Sequence, residues 1–275
     1  MEEKFEDNKF KEEKSYFKSF LGLLSFSTII PINVHTTIND MAKLTWLWPI
    51  ISIFTGIIGV IIAYLTTNIL NFNPILTAAI VYGFLIWING FNHLDGLMDF
   101  GDAIMAHGTP EKKIAIMKDL NVGTGAIALF FIISMITVFS IYNILSNPII
   151  NHSFGIIFTI IIGEMGGKIG LLTTCLSSKS ANDGLGKPFI ENINPIKYLL
   201  SLIIPLIVSV TITYIFGFSI YLAIFGILGG ILAGGLVSYT AKKHFKIANG
   251  DVLGASNEIG RMFSFIFILI AINLF

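Results

Sequence analysis

The sequence predicts an all-α protein: a polytopic integral membrane helical bundle with about seven transmembrane helices and an N-terminal interfacial or re-entrant helix. The first observation is composition, because 54% of the 275 residues are hydrophobic and only 12% are charged. Soluble domains carry roughly 25% charged residues, so too few polar side chains remain here to cover a water-facing surface. The other two observations are the length of the uncharged stretches and the one-sided distribution of lysines.

Apolar stretches of near 20 residues predict the spans, because a helix of that length crosses about 30 Å of hydrocarbon. A shorter apolar stretch, residues 19–30, ends at Pro31, which favours an interfacial or re-entrant helix. Residues 1–18 mix acids with lysines, and we expect a polar cytoplasmic segment there, not a signal peptide, at the start of a single membrane domain over residues 1–275. The predicted spans are residues 46–70, 74–90, 122–145, 153–176, 198–216, 218–239 and 262–275.

The basic residues favour one side of the predicted membrane. The positive-inside rule assigns the lysine-rich connections to the cytoplasm, which predicts a multi-pass protein of the cell membrane with its active site facing the cytoplasm. Seventeen basic residues balance seventeen acidic ones, so no nucleic-acid partner is expected. Lysines occur in residues 1–18, 91–121, 177–197 and 240–257, whereas the connections at 71–73, 146–152 and 217 contain neither Lys nor Arg.

A first acidic motif, HLDGLMDFGD at residues 93–102, follows the second predicted span. Asp99 and Asp102 come four and seven residues after Asp95, so a helix would carry three carboxylates on one face. With no basic residue within one turn, their repulsion is relieved if a cation binds between them, and Mg²⁺ shared with phosphate oxygens suits an all-oxygen cluster. The alternative is a solvated helix with Asp95 as its N-cap. His93 points away from the stripe, and it is either an interfacial histidine or a substrate-binding one.

A second acidic motif, NGDVLGASNE at residues 249–258, precedes the last predicted span. Asp251 and Glu258 are seven residues apart, so a helix would align them and leave the small Gly254 and Ala255 for close packing. The alternative is a loop, because Asn-Gly-Asp is a common turn sequence.

Lysines supply the positive charge that phosphate groups require. Most of them are typical of topology signals and solvated faces, but Lys168 falls near the middle of a predicted span, where a charge is unfavourable unless it has a partner or a polar cavity. Glu164, one turn earlier, is the local candidate partner. Carboxylates for a metal, lysines for phosphate and a membrane setting together indicate phosphoryl transfer.

Three blocks of this sequence resemble the adenosylcobinamide-GDP ribazoletransferase, or cobalamin synthase, family. They are HLDGLMDFGD (93–102), IMKDLNVGTG (116–125) and GDVLGASNE (250–258), and their order and spacing match over most of the chain. The resemblance implies a Mg²⁺-dependent membrane enzyme that joins adenosylcobinamide-GDP to α-ribazole or its 5′-phosphate, releases GMP and completes the nucleotide loop of cobalamin. Membrane lipids are expected partners, and the small residues around 226–235 would permit a homo-oligomer.

This interpretation gives each motif a role. Asp95, Asp99 and Asp102 would bind Mg²⁺, and Asp251, together with Glu258, would complete the metal shell or orient the ribazole hydroxyl. The 5′-hydroxyl would attack the corrinoid-side phosphorus, and GMP would leave. Asp95, Asp99, Asp251 and Lys168 are therefore the candidate catalytic residues, and the candidate substrate-binding residues are His93, Lys118, Gly123, Lys179, Asn257 and Glu258.

The sequence also departs from the family pattern. Leu120 and Asn121 replace a serine and an arginine of the second block, Lys168 and Lys179 stand where arginines are expected, and Arg261 is the only arginine. Lysine supplies charge without bidentate geometry. Two alternatives remain open: a CDP-alcohol phosphotransferase, which also aligns aspartates on a membrane helix, and a secondary transporter with Glu164 and Lys168 as an ion-coupling pair.

Overall fold

The computed structural model describes residues 15–148, 155–217 and 219–275. Helices account for all regular structure in these ranges, which confirms the all-α prediction. The predicted cytoplasmic segment 1–18 lies almost wholly outside the described residues. In chain order the helices are α1 (Tyr16–Ser27), α2 (Ile38–Ala42), α3 (Trp48–Tyr64), α4 (Pro74–Ile88), α5 (Asn92–Met105), α6 (Pro110–Met117), α7 (Thr124–Ser146), α8 (Gly155–Ser177), α9 (Lys187–Asn192), α10 (Pro195–Phe216), α11 (Ile220–His244) and α12 (Gly250–Leu274).

Within the described residues, six helical segments are individually long and apolar enough to cross a membrane. The prediction of about seven spans is met if α4 and α5, which are bent by 94° to one another, supply the seventh. Helix α1 has only 12 residues, as expected for a segment too short to span. The six segments are Thr45–Ile69, Thr124–Ser146, Phe158–Ser177, Pro195–Ile212, Ile220–His244 and Gly250–Leu274.

A sharp turn separates α4 from the acidic helix α5. Gly90 and Phe91 both have left-handed backbone conformations, with φ of 67° and 58°. Two such residues in succession stop an α-helix, and the chain leaves α4 at 94°. With 14 residues and three aspartates, α5 is too short and too polar to span the membrane itself.

The last helix, α12, starts earlier than the sequence predicts. The span 262–275 is the second half of one continuous helix over Gly250–Leu274, so reading residues 249–258 as a loop is wrong. The side chain of Asn249 caps this helix by accepting a hydrogen bond from the backbone N–H of Val252 at 3.1 Å. Gly254, which lowers helix propensity here, packs against α5.

Helix α8 lies at the centre of the bundle and is buried on nearly all sides by α3, α11 and α12. Its contact with α11 depends on glycine, because a Cβ atom at Gly230 would lie 2.5 Å from the carbonyl oxygen of Gly166. The small residues of α11 are therefore used largely inside the chain. Gly235 is an exception, since a Cβ there would meet nothing within 4 Å.

Candidate active site

The two acidic motifs lie against each other because α5 and α12 cross at glycines. A Cβ atom at Gly96 would lie 2.8 Å from the Cα of Asp251, and one at Gly254 would lie 3.0 Å from the carbonyl oxygen of His93. Only glycine permits so close an approach of two backbones. The predicted packing role of Gly254 is confirmed, and its effect is to place Asp95 and Asp251 in the wall of one cavity.

The carboxylates at this crossing repel one another. In the part of the chain that the structure describes, no Lys or Arg forms an ion pair with Asp95, Asp99 or Asp251. Burial raises the pKa of Asp99 to about 7, and the neighbouring carboxylates, that of Asp251 first, act in the same direction. A cation or a proton at this point would lower the electrostatic energy of the site.

Asp102 has different partners from the other two aspartates of its motif. Its Oδ2 accepts a hydrogen bond from the backbone N–H of Gly123 at 2.6 Å, and its Oδ1 accepts one from Ala126 at 2.8 Å. These N–H groups belong to the first turn of α7, which lacks a capping side chain of its own. The side chain of Asp102 thus caps α7. Gly123 makes room for it, because a Cβ there would lie 2.5 Å from that carboxylate.

The donor chemistry of this site fits Mg²⁺ in part. Carboxylate oxygens without basic partners are the ligands that Mg²⁺ prefers. Across residues 15–148, 155–217 and 219–275, however, no three Asp, Glu, His or Cys side chains are already arranged to hold a metal ion. Mg²⁺ is commonly bound through one or two carboxylates together with substrate phosphates. The residues therefore fit a metal shared with a substrate and do not fit a site built from protein ligands alone.

Lys168 is buried against His93, with 3.3 Å between Nζ and Nε2. Its expected partner, Glu164, is held by Arg261, whose Nε donates to Oε1 and whose Nη2 lies 3.4 Å from Oε2. Arg261 also donates through Nη1 to Glu258. The assignment of Glu164 as the ion-pair partner of Lys168 is wrong in this geometry, because the longer, planar guanidinium of α12 occupies both of its oxygens.

The remaining predicted substrate residues are dispersed. Glu258 and Asn257 are buried beside Arg261, and Asn257 donates to Glu258 at 3.1 Å. Neither lines the cavities described below. Lys118 is near the carboxylates and pairs with Asp183 at 3.6 Å on the surface. Lys179 lines a separate cavity of about 270 Å³ with Lys242 and Lys246.

Two cavities meet at Asp251. The aromatic cavity has a volume of about 290 Å³ and is lined in part by Phe26, Trp48, Asn89, His93, Asp95 and Phe189. The lysine-side cavity has a volume of about 400 Å³ and is lined in part by Lys118, Asn182, Asp183, Ile247 and Asn249. Asp251, Gly250 and Leu185 line both. Asp251 therefore lies at the border of both cavities, a position suited to a transfer between two bound molecules.

Sequence reasoning missed the aromatic residues of this site and the role of Arg261. Phe26, Trp48 and Phe189 come from three separate segments, and single aromatic residues among so many apolar ones give no signal. Asn89 falls at the end of the predicted span 74–90, where one polar residue is ordinary. Arg261 offered a signal, because it is the only arginine and falls in an apolar segment, where a charge needs a partner.

Fold and site together define a polytopic helical membrane protein with a carboxylate-lined cavity where α5 crosses α12. Comparison with known families makes this specific. The family model described as cobalamin-5-phosphate synthase matches residues 19–269, and the chain belongs to that family. The resemblance stated from the three motifs is thereby confirmed.

Several curated relatives share this similarity over nearly their whole length. The chain is 31% identical to a protein named adenosylcobinamide-GDP ribazoletransferase from Methanococcoides burtonii, over 90% of each chain. It is 31% identical to a protein of the same name from Pyrococcus furiosus, over 87% of this chain and 94% of that one. A third, from Clostridioides difficile, is 28% identical over 94% of this chain and 99% of its own. No solved structure matches.

Proposed function

We propose that this protein is a membrane-embedded transferase that joins adenosylcobinamide-GDP to α-ribazole or its 5′-phosphate and releases GMP. Family membership and the names of the relatives supply the substrates. The observation that carries the proposal is the position of Asp251, which lines two cavities at the point where α5 brings Asp95 beside it. That arrangement suits a reaction between two separately bound substrates.

The reaction replaces one phosphate ester by another. A ribose hydroxyl oxygen of the acceptor forms a bond to the phosphorus nearest the corrinoid, and the bond from that phosphorus to the oxygen of the departing GMP breaks. The 5′-hydroxyl expected from the sequence does not fit as the attacking group, because the 5′ oxygen is already esterified in the phosphorylated acceptor. The reacting hydroxyl therefore lies on the ribose ring. Its proton passes to a carboxylate, and Asp251 is the group positioned to take it because it borders both cavities.

Asp95 and Asp99 are the residues that would hold Mg²⁺, with substrate phosphate oxygens completing the shell. When bound, the metal would supply positive charge to the diphosphate. Asp102 would act through α7, whose first turn it caps, so we place it outside the metal shell. Lys168 would act by positioning His93 in the wall of the aromatic cavity.

We infer that the site faces the cytoplasm of a cell-membrane protein. The lysine-side cavity gathers residues from three lysine-rich connections, with Lys118 from the first, Asp183 from the second and Ile247 from the third. All three therefore lie at one end of the bundle, on one side of the membrane. The positive-inside rule gives that side its orientation.

The two rival functions differ from this one in a required contact or in the product released. An ion-coupled transporter with a Glu164–Lys168 pair is disfavoured, because Arg261 occupies Glu164. A CDP-alcohol phosphotransferase would release CMP from a different donor.

Product analysis separates these functions. Purified protein supplied with adenosylcobinamide-GDP, α-ribazole and Mg²⁺ should form GMP and the joined cobalamin product in equal amounts, measured by mass spectrometry. GMP release at the same rate without an acceptor, or turnover of a CDP-alcohol donor instead, would contradict the proposal.

A further inference from the structure

One wall of the aromatic cavity is a stack of three rings. Phe189 on α9 packs on Phe26 of α1 with 5.2 Å between ring centroids, and on Trp48 of α3 with 5.0 Å. The ring planes are inclined by 28° and 29°. The indole Nε1 of Trp48 donates to Ser27 at 2.9 Å and so fixes the orientation of its ring. Such a rigid aromatic wall is suited to a flat molecule.

The same cavity contains a buried hydrogen-bond acceptor with no partner. Asn89, at the end of α4, is only 2% exposed, and its Nδ2 donates to the carbonyl oxygen of Leu85 at 2.7 Å. Its Oδ1 has no hydrogen-bond partner among the described residues. A buried polar atom is normally satisfied, and Asn89 lines this cavity, so we take its Oδ1 as an acceptor with which a bound ligand could pair.

His93 supplies a second unpaired group in this wall. Its Nδ1 is buried without a partner in the part of the chain that the structure describes, whereas its Nε2 faces Nζ of Lys168 at 3.3 Å. When Lys168 is protonated it can only donate, and in that state Nε2 accepts and the ring proton lies on Nδ1. Two residues of the cavity wall, Asn89 and His93, thus each carry a buried polar atom that has no partner among the described residues.

We propose that the aromatic cavity binds the acceptor nucleoside, with its base against Phe26, Trp48 and Phe189 and its ribose toward Asn89 and His93. This rests on the proposed function. A volume of about 290 Å³ has room for a nucleoside and none for a corrin ring with its side chains. In this orientation the ribose hydroxyls would lie toward Asp95 and Asp251, which border the same cavity.

The guanosine of the other substrate fits the second cavity better. The aromatic cavity has no Lys or Arg in its wall, whereas the lysine-side cavity has Lys118 for the charged diphosphate. The hydrogen-bonding edge of guanine requires more partners than the two that the aromatic cavity offers, while an azole base with apolar edges requires few. Asp251 stands between the two cavities, so both reacting groups can meet there.

The test compares the Michaelis constants of the two substrates. Asn89→Leu removes the unpaired acceptor and retains the size of the side chain. We expect the KM for α-ribazole to rise by about tenfold, the loss of one hydrogen bond to a ligand, and the KM for adenosylcobinamide-GDP to stay within about twofold. The unfolding temperature should change little, because the substitution removes an unsatisfied buried oxygen together with the hydrogen bond from Nδ2 to the Leu85 carbonyl.

Phe26→Leu tests the aromatic wall separately. This variant should fold even if Asn89→Leu does not, because Phe26 is the most exposed of the three rings. It should raise the KM for α-ribazole selectively. Phe131→Leu, at an exposed phenylalanine of α7 outside the cavity lining, is the matched control and should change neither constant.

A selective rise in the KM for adenosylcobinamide-GDP would overturn the proposal and assign the cavity to guanosine. Unchanged constants in both cavity variants would overturn it as well. Failure of the proposed function itself would appear differently, as an inactive wild-type protein.

Discussion

Gly96 and Asp251 are in backbone contact: a single Cβ atom added at Gly96 would lie 2.8 Å from both Cα and the carbonyl oxygen of Asp251. The two residues are 155 positions apart in the chain, and their contact joins the two acidic motifs. Since neither acidic motif forms the site alone, the position of α5 against the first turn of α12 sets the distance between the carboxylates.

Gly96→Ala should therefore lower activity by displacing α5. The added methyl group forces the two backbones apart, and displacement by about 1 Å can reduce the rate of a positioned reaction by about 100-fold. We expect a loss of that order in GMP release. Gly83→Ala on α4 is the matched control, because a Cβ there meets nothing within 4 Å, and it should retain full activity. Equal activity of the two variants would show that the crossing does not position the carboxylates.

Replacing Asp102 should lower the stability of the protein more than replacing its neighbour Asp95. Asp102→Ala removes both acceptors from the first turn of α7, and loss of a helix cap costs about 1–2 kcal/mol. Asp95→Ala removes one of several repelling carboxylates, so its unfolding temperature should be unchanged or raised. Thermal unfolding in detergent measures both. A stable but inactive Asp102→Ala protein would instead return Asp102 to the metal shell.

Hydropathy and charge predict much of the fold, and local spacing predicts part of the site. Apolar length alone places the spans before α12 to within a few residues, and the spacing of Asp95, Asp99 and Asp102 correctly indicates a helix. The turn after α4 was not predicted, because Phe91 adopts a left-handed conformation that bulky residues rarely show. The continuity of α12 was not predicted either, because the glycines that suggest a loop are required for contact with α5.

Long-range partners are the part of the site that could not be predicted. Glu164 and Lys168 are one turn apart and form an obvious local pair, yet Arg261, 97 residues away from Glu164, takes the carboxylate. The aromatic cavity likewise draws on α1, α3, α4 and α9, whose mutual positions no local pattern encodes. Spacing finds residues on the same helix, whereas a cavity between helices depends on how they pack.

The buried ion pairs of Arg261 give a prediction about stability. Arg261→Met leaves Glu164 and Glu258 buried without their cationic partner, and breaking a buried pair in this way destabilises a protein by about 3–5 kcal/mol. Adding Glu164→Gln and Glu258→Gln should recover most of the loss, as measured by thermal unfolding. Should Arg261→Met alone unfold like the wild type, the network would contribute nothing to the fold.

The effect of replacing Lys168 on turnover should not depend on Glu164. Lys168→Met should lower turnover with little loss of folded protein, because it removes the group that faces His93, and Lys168→Arg should keep part of the activity. The double variant Lys168→Met with Glu164→Gln should not recover activity, because Arg261 is the partner of Glu164. Full recovery in that double-mutant cycle would mean that the local pair forms after all.

Membrane orientation can be tested by cysteine labelling. Cysteines introduced at Asn73 and Asn147 should react with an impermeant reagent in intact cells, whereas those at Ser180 and Lys243 should react only after permeabilisation. The native Cys175 is buried and should give little background. Labelling of Ser180 and Lys243 from opposite sides would refute the arrangement of the spans.

The most direct test of the account is the dependence of GMP release on Mg²⁺ in purified protein supplied with adenosylcobinamide-GDP and α-ribazole. We predict that release saturates with Mg²⁺, stops when the metal is chelated, and falls by at least about 100-fold in Asp95→Asn and in Asp251→Asn, which retain size and fold but remove charge. Undiminished GMP release in the presence of chelator, or from either variant, would contradict it.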